Sequence, residues 1–167
     1  MAPRPSDAES ELLRQYLDDI GAYPLLSPAQ GARMLSGRAV RLGAYGDPAA
    51  IPARHWRALL RYAAGRTGYT HQWRQSFAQA LRELVMASAD SAQERDTARA
   101  MGWRTFRVRG ADETLGAREF ACPASPEGGN RRQCIDCQAC DGAARGPAQA
   151  SVAIIVHGAM ARHFQPA

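Results

Sequence analysis

The stretch that decides the fold reads Leu84-Val-Met-Ala-Ser-Ala-Asp-Ser-Ala-Gln-Glu-Arg-Asp-Thr-Ala-Arg-Ala-Met-Gly-Trp-Arg-Thr-Phe-Arg-Val-Arg109. Its apolar start, residues 84–89, predicts a strand. The next two residues, Asp90 and Ser91, are typical caps for a helix over residues 92–100 that ends at Gly102. Residues 104–109 then alternate as a second strand. A strand, a helix and a strand in this order predict a parallel pair joined by a right-handed crossover.

The same alternation continues on both sides of this unit. Apolar or β-branched runs predict strands at residues 39–43, 67–73, 119–122 and 151–157, and helices are predicted at residues 29–35 and 52–64. The last strand is apolar at consecutive positions, which is typical of a central parallel strand. The sequence therefore predicts an α/β fold with a small, mainly parallel sheet and flanking helices. We expect a disordered lead at residues 1–8, a helical segment at residues 9–36 and the α/β domain at residues 37–167.

Composition limits the possible functions. The 167 residues carry a net charge of +5, and all positively charged side chains are arginine. The absence of lysine excludes Schiff-base catalysis and a phosphate-binding lysine loop. Because the arginines are spread along the chain, we expect a solvated surface in preference to a nucleic-acid patch. Residues 1–10 lack the apolar core of a signal peptide, and the longest apolar run is too short to cross a bilayer. We therefore expect a cytoplasmic protein without a membrane partner.

All four cysteines lie in one short segment with the spacing C-x11-C-x2-C-x2-C. Two intervening residues allow neighbouring sulfurs to turn back onto one point, as a thiolate-ligated metal requires. Arg131 and Arg132 are expected to lower the thiol pKa values. Two disulfides or four unrelated thiols are the alternatives. The spacing predicts one metal centre within a loop at residues 119–142, with zinc favoured and a 4Fe-4S cluster as the alternative, held by Cys122, Cys134, Cys137 and Cys140.

A second candidate site follows from the parallel sheet. Functional side chains in such sheets lie just past the carboxyl ends of the strands. This rule predicts a shallow pocket that could hold a planar ligand, formed by Tyr45, Asp47, Tyr69, His71, Trp73 and Asp90. Local alternatives exist for its polar members, as a turn residue, a core histidine and a helix cap. No Ser–His–Asp or Cys–His set emerges, so an enzyme is not favoured and no catalytic residue is assigned.

The N-terminal segment carries a family resemblance. Leu13-Arg-Gln-Tyr-Leu-Asp-Asp-Ile-Gly-Ala-Tyr-Pro-Leu-Leu-Ser27 resembles region 1.2 of primary bacterial sigma factors, over about residues 9–30. In that family the segment lies beside promoter DNA. The resemblance implies contact with RNA polymerase or promoter DNA through Arg14, Tyr16, Leu17, Ile20 and Leu25. The aromatic-rich helices with which sigma factors melt promoter DNA do not follow, so we do not expect a free-standing sigma factor.

The rest of the chain carries another resemblance. Gly68-Tyr-Thr-His-Gln-Trp73, Met101-Gly-Trp-Arg-Thr-Phe-Arg107 and the cysteine run are similar to the C-terminal part of an uncharacterised family of phage and plasmid proteins, over about residues 36–158. The resemblance implies a partial barrel like that of radical-SAM enzymes. No C-x3-C-x2-C motif lies upstream, so the residues that would hold a catalytic cluster are missing.

Three hypotheses result. The first is a non-catalytic zinc-binding α/β module of a mobile-element protein that contacts nucleic acid or a partner protein. The second is a remnant or subunit of an iron–sulfur enzyme. The third is a transcription-associated protein that uses the N-terminal helix on RNA polymerase or promoter DNA. The sequence gives no indication of the oligomeric state.

Overall fold

A computed structural model describes residues 26–146, 149–158 and 161–164 of the chain. The predicted lead at residues 1–8 and most of the predicted helical segment at residues 9–36 lie outside the described residues. The same holds for the five proposed polymerase or DNA contacts, Arg14, Tyr16, Leu17, Ile20 and Leu25. The described residues form an α/β fold in which helices flank one parallel sheet.

The sheet has six strands, and every neighbouring pair is parallel. The order across it is β1-β2-β3-β4-β6-β5, which confirms the predicted parallel sheet. β6 lies inside the sheet, as its run of apolar residues predicted. The strand bounds are β1 Ala39–Leu42, β2 Gly65–Thr70, β3 Met86–Ala89, β4 Thr105–Arg109, β5 Glu119–Ala121 and β6 Ser151–Ile155.

Four α-helices are described: α1 Pro28–Met34, α2 Ala53–Leu59, α3 Ala92–Ala100 and α4 Cys134–Cys137. Short 3-10 helices cover Pro48–Ala50, Leu60–Tyr62, Ser76–Leu81 and Ala161–His163. α3 has the bounds that the sequence predicted. The hydroxyl of Ser91 caps it by accepting the Glu94 N–H at 3.2 Å. None of the helices in the described ranges is both long enough and apolar enough to span a membrane.

The apolar core lies against one face of the sheet, under α2, α3 and the loops that lead to them. α3 packs on β3 and β4, which the sequence placed on either side of it. The buried members of this core are Leu42, Ala53, Trp73, Leu81, Leu84, Val85, Ala87, Ala98 and Trp103. The opposite face of the sheet carries the cysteine loop.

Two predicted boundaries around β2 are wrong. The helix predicted over residues 52–64 ends as the 3-10 turn Leu60–Tyr62, and Gly65 begins β2 instead of terminating the helix. A Cβ on Gly65 would lie 1.5 Å from the Gln138 side chain, so glycine allows the cysteine loop to approach the strand. β2 then ends at Thr70 and not at residue 73. Trp73 therefore lies outside β2, although the sequence predicted one strand over residues 67–73 that would include both Tyr69 and Trp73.

Candidate metal centre

The four cysteines line one small cavity on the face of the sheet opposite the core. This face, here called the cysteine face, includes Thr67, Tyr69 and Val152. The cavity has a volume of about 20 Å³ and is lined by all four cysteine side chains. None of the four cysteines is in a disulfide. The fold therefore gathers the whole predicted ligand set, although Cys122 is separated from the other three by a long loop.

Each cysteine is attached to the fold at a different point. Cys122 directly follows β5, and its N–H donates to the Ala153 carbonyl of β6 at 2.8 Å. The other end of the set is held by β2, since the Gly68 N–H donates to the Cys140 carbonyl at 3.1 Å. Cys134 and Cys137 are the first and last residues of α4, and Cys134 is exposed. Two candidate ligands are thus bonded to the sheet, and two lie on an outer helical turn.

A buried arginine holds the chain around Cys140. The guanidinium of Arg104 donates to the carbonyl oxygens of Ala139 at 3.0 Å and Gly142 at 2.8 Å, on either side of the cysteine. It also forms a 2.7 Å ion pair with Asp141. Only 3% of Arg104 is exposed. Sequence reasoning missed this residue by treating the arginines as solvated. The signal in the sequence was the alternation of side chains along β4. Arg104 lies two residues before Phe106, which is on the cysteine face.

Glycine permits the close passage of the loop over the chain before β3. Gly142 has φ +80°, and a Cβ there would lie 2.7 Å from the Arg82 carbonyl oxygen. The next residue, Ala143, donates its N–H to that same oxygen at 2.7 Å. Because only glycine adopts this backbone conformation without cost and fits the space, the position fixes where the loop turns after Cys140.

Burial shapes the chemistry of the thiols. It raises the pKa of the Cys140 thiol well above its usual value, and the neighbouring cysteines raise that pKa further. The pKa of Cys122 is also raised, chiefly by burial. The arginine that acts against this effect at Cys140 is Arg104. Sequence reasoning assigned that role to Arg131 and Arg132, but the Arg131 guanidinium donates to the Gly128 carbonyl at 2.8 Å.

Convergence on one cavity is not the same as a formed metal site. As the side chains stand, no group of three or more His, Cys, Asp or Glu residues within the described ranges is arranged to hold a metal ion. The metal centre therefore stays a prediction. What the fold supplies is one small cavity whose lining includes all four cysteines.

An open groove of about 410 Å³ adjoins the cysteine cavity. Two aromatic rings line it: those of Tyr69 and Phe106, with centroids 4.4 Å apart and planes inclined by 31°. The Arg41 guanidinium lies 5.3 Å from the Tyr69 centroid, within cation–π range. Burial and the nearby Cys140 raise the pKa of Tyr69 to about 12, so its hydroxyl stays protonated at neutral pH. The groove combines an apolar wall with one cation.

The pocket predicted at the strand ends is only partly assembled. The Asp47 carboxylate accepts hydrogen bonds from the Thr70 hydroxyl at 2.6 Å and from the backbone N–H groups of His71 and Ala49, each at 2.8 Å. Asp47 and His71 are therefore neighbours, as predicted. However, the contact uses the His71 backbone, and the bonds to Asp47 connect β1 to β2. This arrangement matches the local alternative of a turn residue.

The aromatic wall of that pocket is not formed. Trp73 is buried in the core, with its ring N–H donating to the Ser88 carbonyl at 2.8 Å. Tyr45 is fully exposed, while Tyr69 lines the groove on the cysteine face. Asp90 does not cap α3; its backbone N–H donates to Glu94 at 2.8 Å. Trp73 is separated from Tyr69 because β2 ends at Thr70, and Tyr45 lies in the turn after β1.

A second buried charged cluster lies on the helix face of β4. Arg107, 1% exposed, pairs with Glu119 at 2.9 Å and with Glu113 at 3.1 Å. Glu119 also accepts from Arg95 at 3.2 Å and from the Gly116 N–H at 2.7 Å. Burial alone would raise the pKa of Glu119, but the bonds from Arg107 and Gly116 hold that pKa below its usual range. The cluster attaches the loop after β4 to the start of β5.

Comparison with known proteins gives one match. The family model for the sigma-70 factor, region 1.2, matches residues 11–30. Most of these residues lie outside the described ranges, and residues 28–30 form the first turn of α1. Neither curated proteins nor solved structures show a significant match to the chain. The resemblance of residues 36–158 to phage and plasmid proteins is therefore not supported. The match shows similarity in one short segment and does not assign the whole chain to a family.

Proposed function

We propose that this protein is a non-catalytic metal-binding α/β protein in which one zinc ion is held by Cys122, Cys134, Cys137 and Cys140. The observation that supports this most directly is that these four thiols line a single cavity. The four cysteines come from β5, α4 and the segment beside β2. Thiols without a common function would not be expected to line one cavity from such separate places.

We favour a single zinc ion over a cluster because no second cysteine motif accompanies the four cysteines. Four thiolates form the closed tetrahedral set that structural zinc prefers, with Zn–S distances of about 2.3 Å. Such a set leaves no position for a reacting water molecule. The role of the metal is therefore to fix the loop at residues 119–142 on the sheet.

Closure on an ion requires movement of the outer ligands. Cys134 is exposed and α4 is a single turn, so its side chains are the ones free to rotate inward. Gln138, directly after α4, has φ +47°, and its left-handed conformation turns the chain back toward Cys140. The inner ligands are already fixed by their bonds to β6 and β2.

Metal analysis of anaerobically purified protein tests the proposal. We expect about one zinc per chain by the four-thiolate rule. Each single substitution of a candidate ligand by serine should lower that content. Ile135→Ser is the matched control, because Ile135 lies exposed between two ligands and carries no donor. Four freely titrating thiols without bound metal would contradict the proposal. A brown chromophore would show an iron–sulfur cluster in place of zinc.

A second candidate function is supported by the family match. We infer that residues 11–30 engage RNA polymerase, since similarity to the sigma-70 factor, region 1.2, is confined to them. Substituting Tyr16 and Leu17 by alanine in the full chain should reduce co-purification with polymerase and leave the metal content unchanged. Tyr45→Ala, at a fully exposed aromatic residue outside the match, is the control. Absence of any affinity of the full chain for polymerase would overturn this candidate.

A further inference from the structure

The positive charge of the protein is concentrated in one part of the chain. Residues 26–64 contain six arginines and one acidic residue, Asp47, which gives a formal charge of +5, equal to that of the whole protein. All six arginines are exposed: Arg33, Arg38, Arg41, Arg54, Arg57 and Arg61. The arginines of β4 are instead buried in ion pairs. The arginines spread through the sequence are therefore sorted by the fold into an interior set and a surface set.

Several of the exposed arginines of residues 26–64 lie around two helices. α1 and α2 pack against each other, and a groove of about 490 Å³ between them is lined by Arg33 from one side and Arg61 from the other. The Ala64 N–H donates to the Arg38 carbonyl at 3.0 Å, so Arg38 lies beside the end of the 3-10 turn that carries Arg61. Arg54 precedes Arg61 by seven residues, close to two helical turns, and so lies on the same side of this element.

Four of these six arginines lie apart from the described carboxylates. Within the part of the chain that the structure describes, no carboxylate lies within ion-pair distance of Arg33, Arg38, Arg54 or Arg61. Arg57 of the same segment instead pairs with Glu83 at 3.0 Å. We call the side chains of Arg33, Arg38, Arg54 and Arg61 the α1–α2 basic surface.

We propose that the α1–α2 basic surface binds the phosphate backbone of a nucleic acid. Guanidinium groups donate paired hydrogen bonds to phosphate oxygens, and Arg33 and Arg61 face each other across the groove with Arg38 and Arg54 nearby on the same elements. Tyr62 lines the same groove, half exposed, with the Arg61 guanidinium 5.4 Å from its ring centroid. Such a ring is suited to stacking on a base or sugar. The four arginines belong neither to the cysteine loop nor to residues 11–30, and of the latter segment Pro28 and Ala29 line the groove beside them.

Binding of fluorescent duplex DNA, single-stranded DNA and single-stranded RNA of equal length to the full chain tests the proposal. The affinity should fall linearly on logarithmic axes as salt rises from about 50 to about 300 mM. Replacing the four arginines of the surface by glutamine should lower that slope by about 0.9 for each lost duplex contact, or about 0.7 on a single strand. At about 100 mM salt, the loss of four contacts at these slopes should lower the affinity by on the order of 1,000-fold.

A second quadruple variant gives the control. Arg118, Arg131, Arg132 and Arg162 are exposed outside the α1–α2 basic surface, and their replacement by glutamine removes the same charge. This variant should retain most of the salt slope. Equal weakening by both variants, or no salt-dependent binding to any of the three probes, would overturn the proposal. The proposal would also be overturned if the wild-type chain bound no nucleic acid and the variant of the α1–α2 basic surface lost binding to an acidic protein surface, such as that of polymerase. Zinc content, measured on the same samples, keeps this outcome separate from that of the metal proposal.

Discussion

The guanidinium of Arg104 forms a 2.7 Å ion pair with Asp141, the residue that follows Cys140. Arg104 immediately precedes β4, so this contact joins the middle of the sheet to the end of the cysteine loop. Nearly all of the Arg104 side chain is buried, and its remaining donors bond to backbone carbonyls. The inner side of the candidate metal centre is therefore bonded directly to the sheet.

Arg104→Ala should strongly destabilise the protein. The substitution removes the buried partner of Asp141, which keeps only the exposed Arg145, and leaves several carbonyl oxygens without donors. Breaking a buried pair in this way costs about 3–5 kcal/mol. Urea denaturation measures the loss. Arg145→Ala is the control, because Arg145 pairs with the same Asp141 at 2.7 Å but is 63% exposed. Its cost should stay below about 1 kcal/mol. Similar losses for the two variants would show that Arg104 does not hold the loop.

Acid should weaken the protein through Glu119. The pKa of Glu119 in the folded state lies below its usual value near 4.5, because the bonds from Arg107 and Gly116 outweigh the effect of burial. Its contribution to the free energy of unfolding is thus present above that pH and is lost as the pH falls through the folded pKa. The difference in stability between wild type and Glu119→Gln should be greatest near neutral pH and shrink below about pH 4.5.

Thermal denaturation across this pH range measures the Glu119 effect. Glu83→Gln provides the control, since Glu83 is 65% exposed and pairs with Arg57 on the surface. We expect that variant to follow the wild-type pH profile. A constant stability difference between wild type and Glu119→Gln at all pH values would contradict the assignment.

Gly142→Ala should disturb the loop more than an equivalent change nearby. Both Gly142 and Gly146 have positive φ, at +80° and +103°, so alanine at either position costs about 1–2 kcal/mol in backbone conformation. Only at Gly142 would the new Cβ also meet backbone atoms, at 2.7 Å. We therefore expect a larger fall in unfolding free energy, and in zinc content, for Gly142→Ala. Equal effects would show that the loop does not pack against residues 82–84 in solution.

Removal of the metal should loosen one segment selectively. Because ion binding and folding of the cysteine loop form one equilibrium, a chelator should speed amide hydrogen exchange at residues 119–142. Exchange in α3 should change little, since that helix packs on the core side of the sheet. Hydrogen exchange detected by mass spectrometry, with and without chelator, measures both segments. Unchanged exchange in the loop would mean that the thiols do not hold it through a metal.

Several features of the fold could be predicted from the sequence because they depend on local chemistry. The bounds of α3 follow from a serine cap and a terminating glycine. The interior position of β6 follows from its consecutive apolar residues, and the parallel sheet follows from the alternation of strands and helices. In each case the decisive residues lie within a few positions of the element that they specify.

Tertiary structure alone decided the burial of the arginines and the position of Trp73. Sequence spacing indicates which side chains share a strand face, but not which face meets the core, the cysteine loop or solvent. Trp73 lies in the core because β2 ends at Thr70, and that end depends on the Asp47 carboxylate supplied from the loop after β1.

The cysteines and the surface arginines show the same division. Their spacing by itself predicted that Cys134, Cys137 and Cys140 turn toward one point, and all three line one cavity. That Cys122 joins them required β5 to lie beside β6, which only long-range strand pairing fixes. Composition likewise determined the net charge of +5, whereas tertiary contacts decided that Arg104, Arg107 and Arg109 are buried while the arginines of residues 26–64 are exposed. Local chemistry specifies the elements, and the partners that each side chain meets are set by contacts between residues distant in the chain.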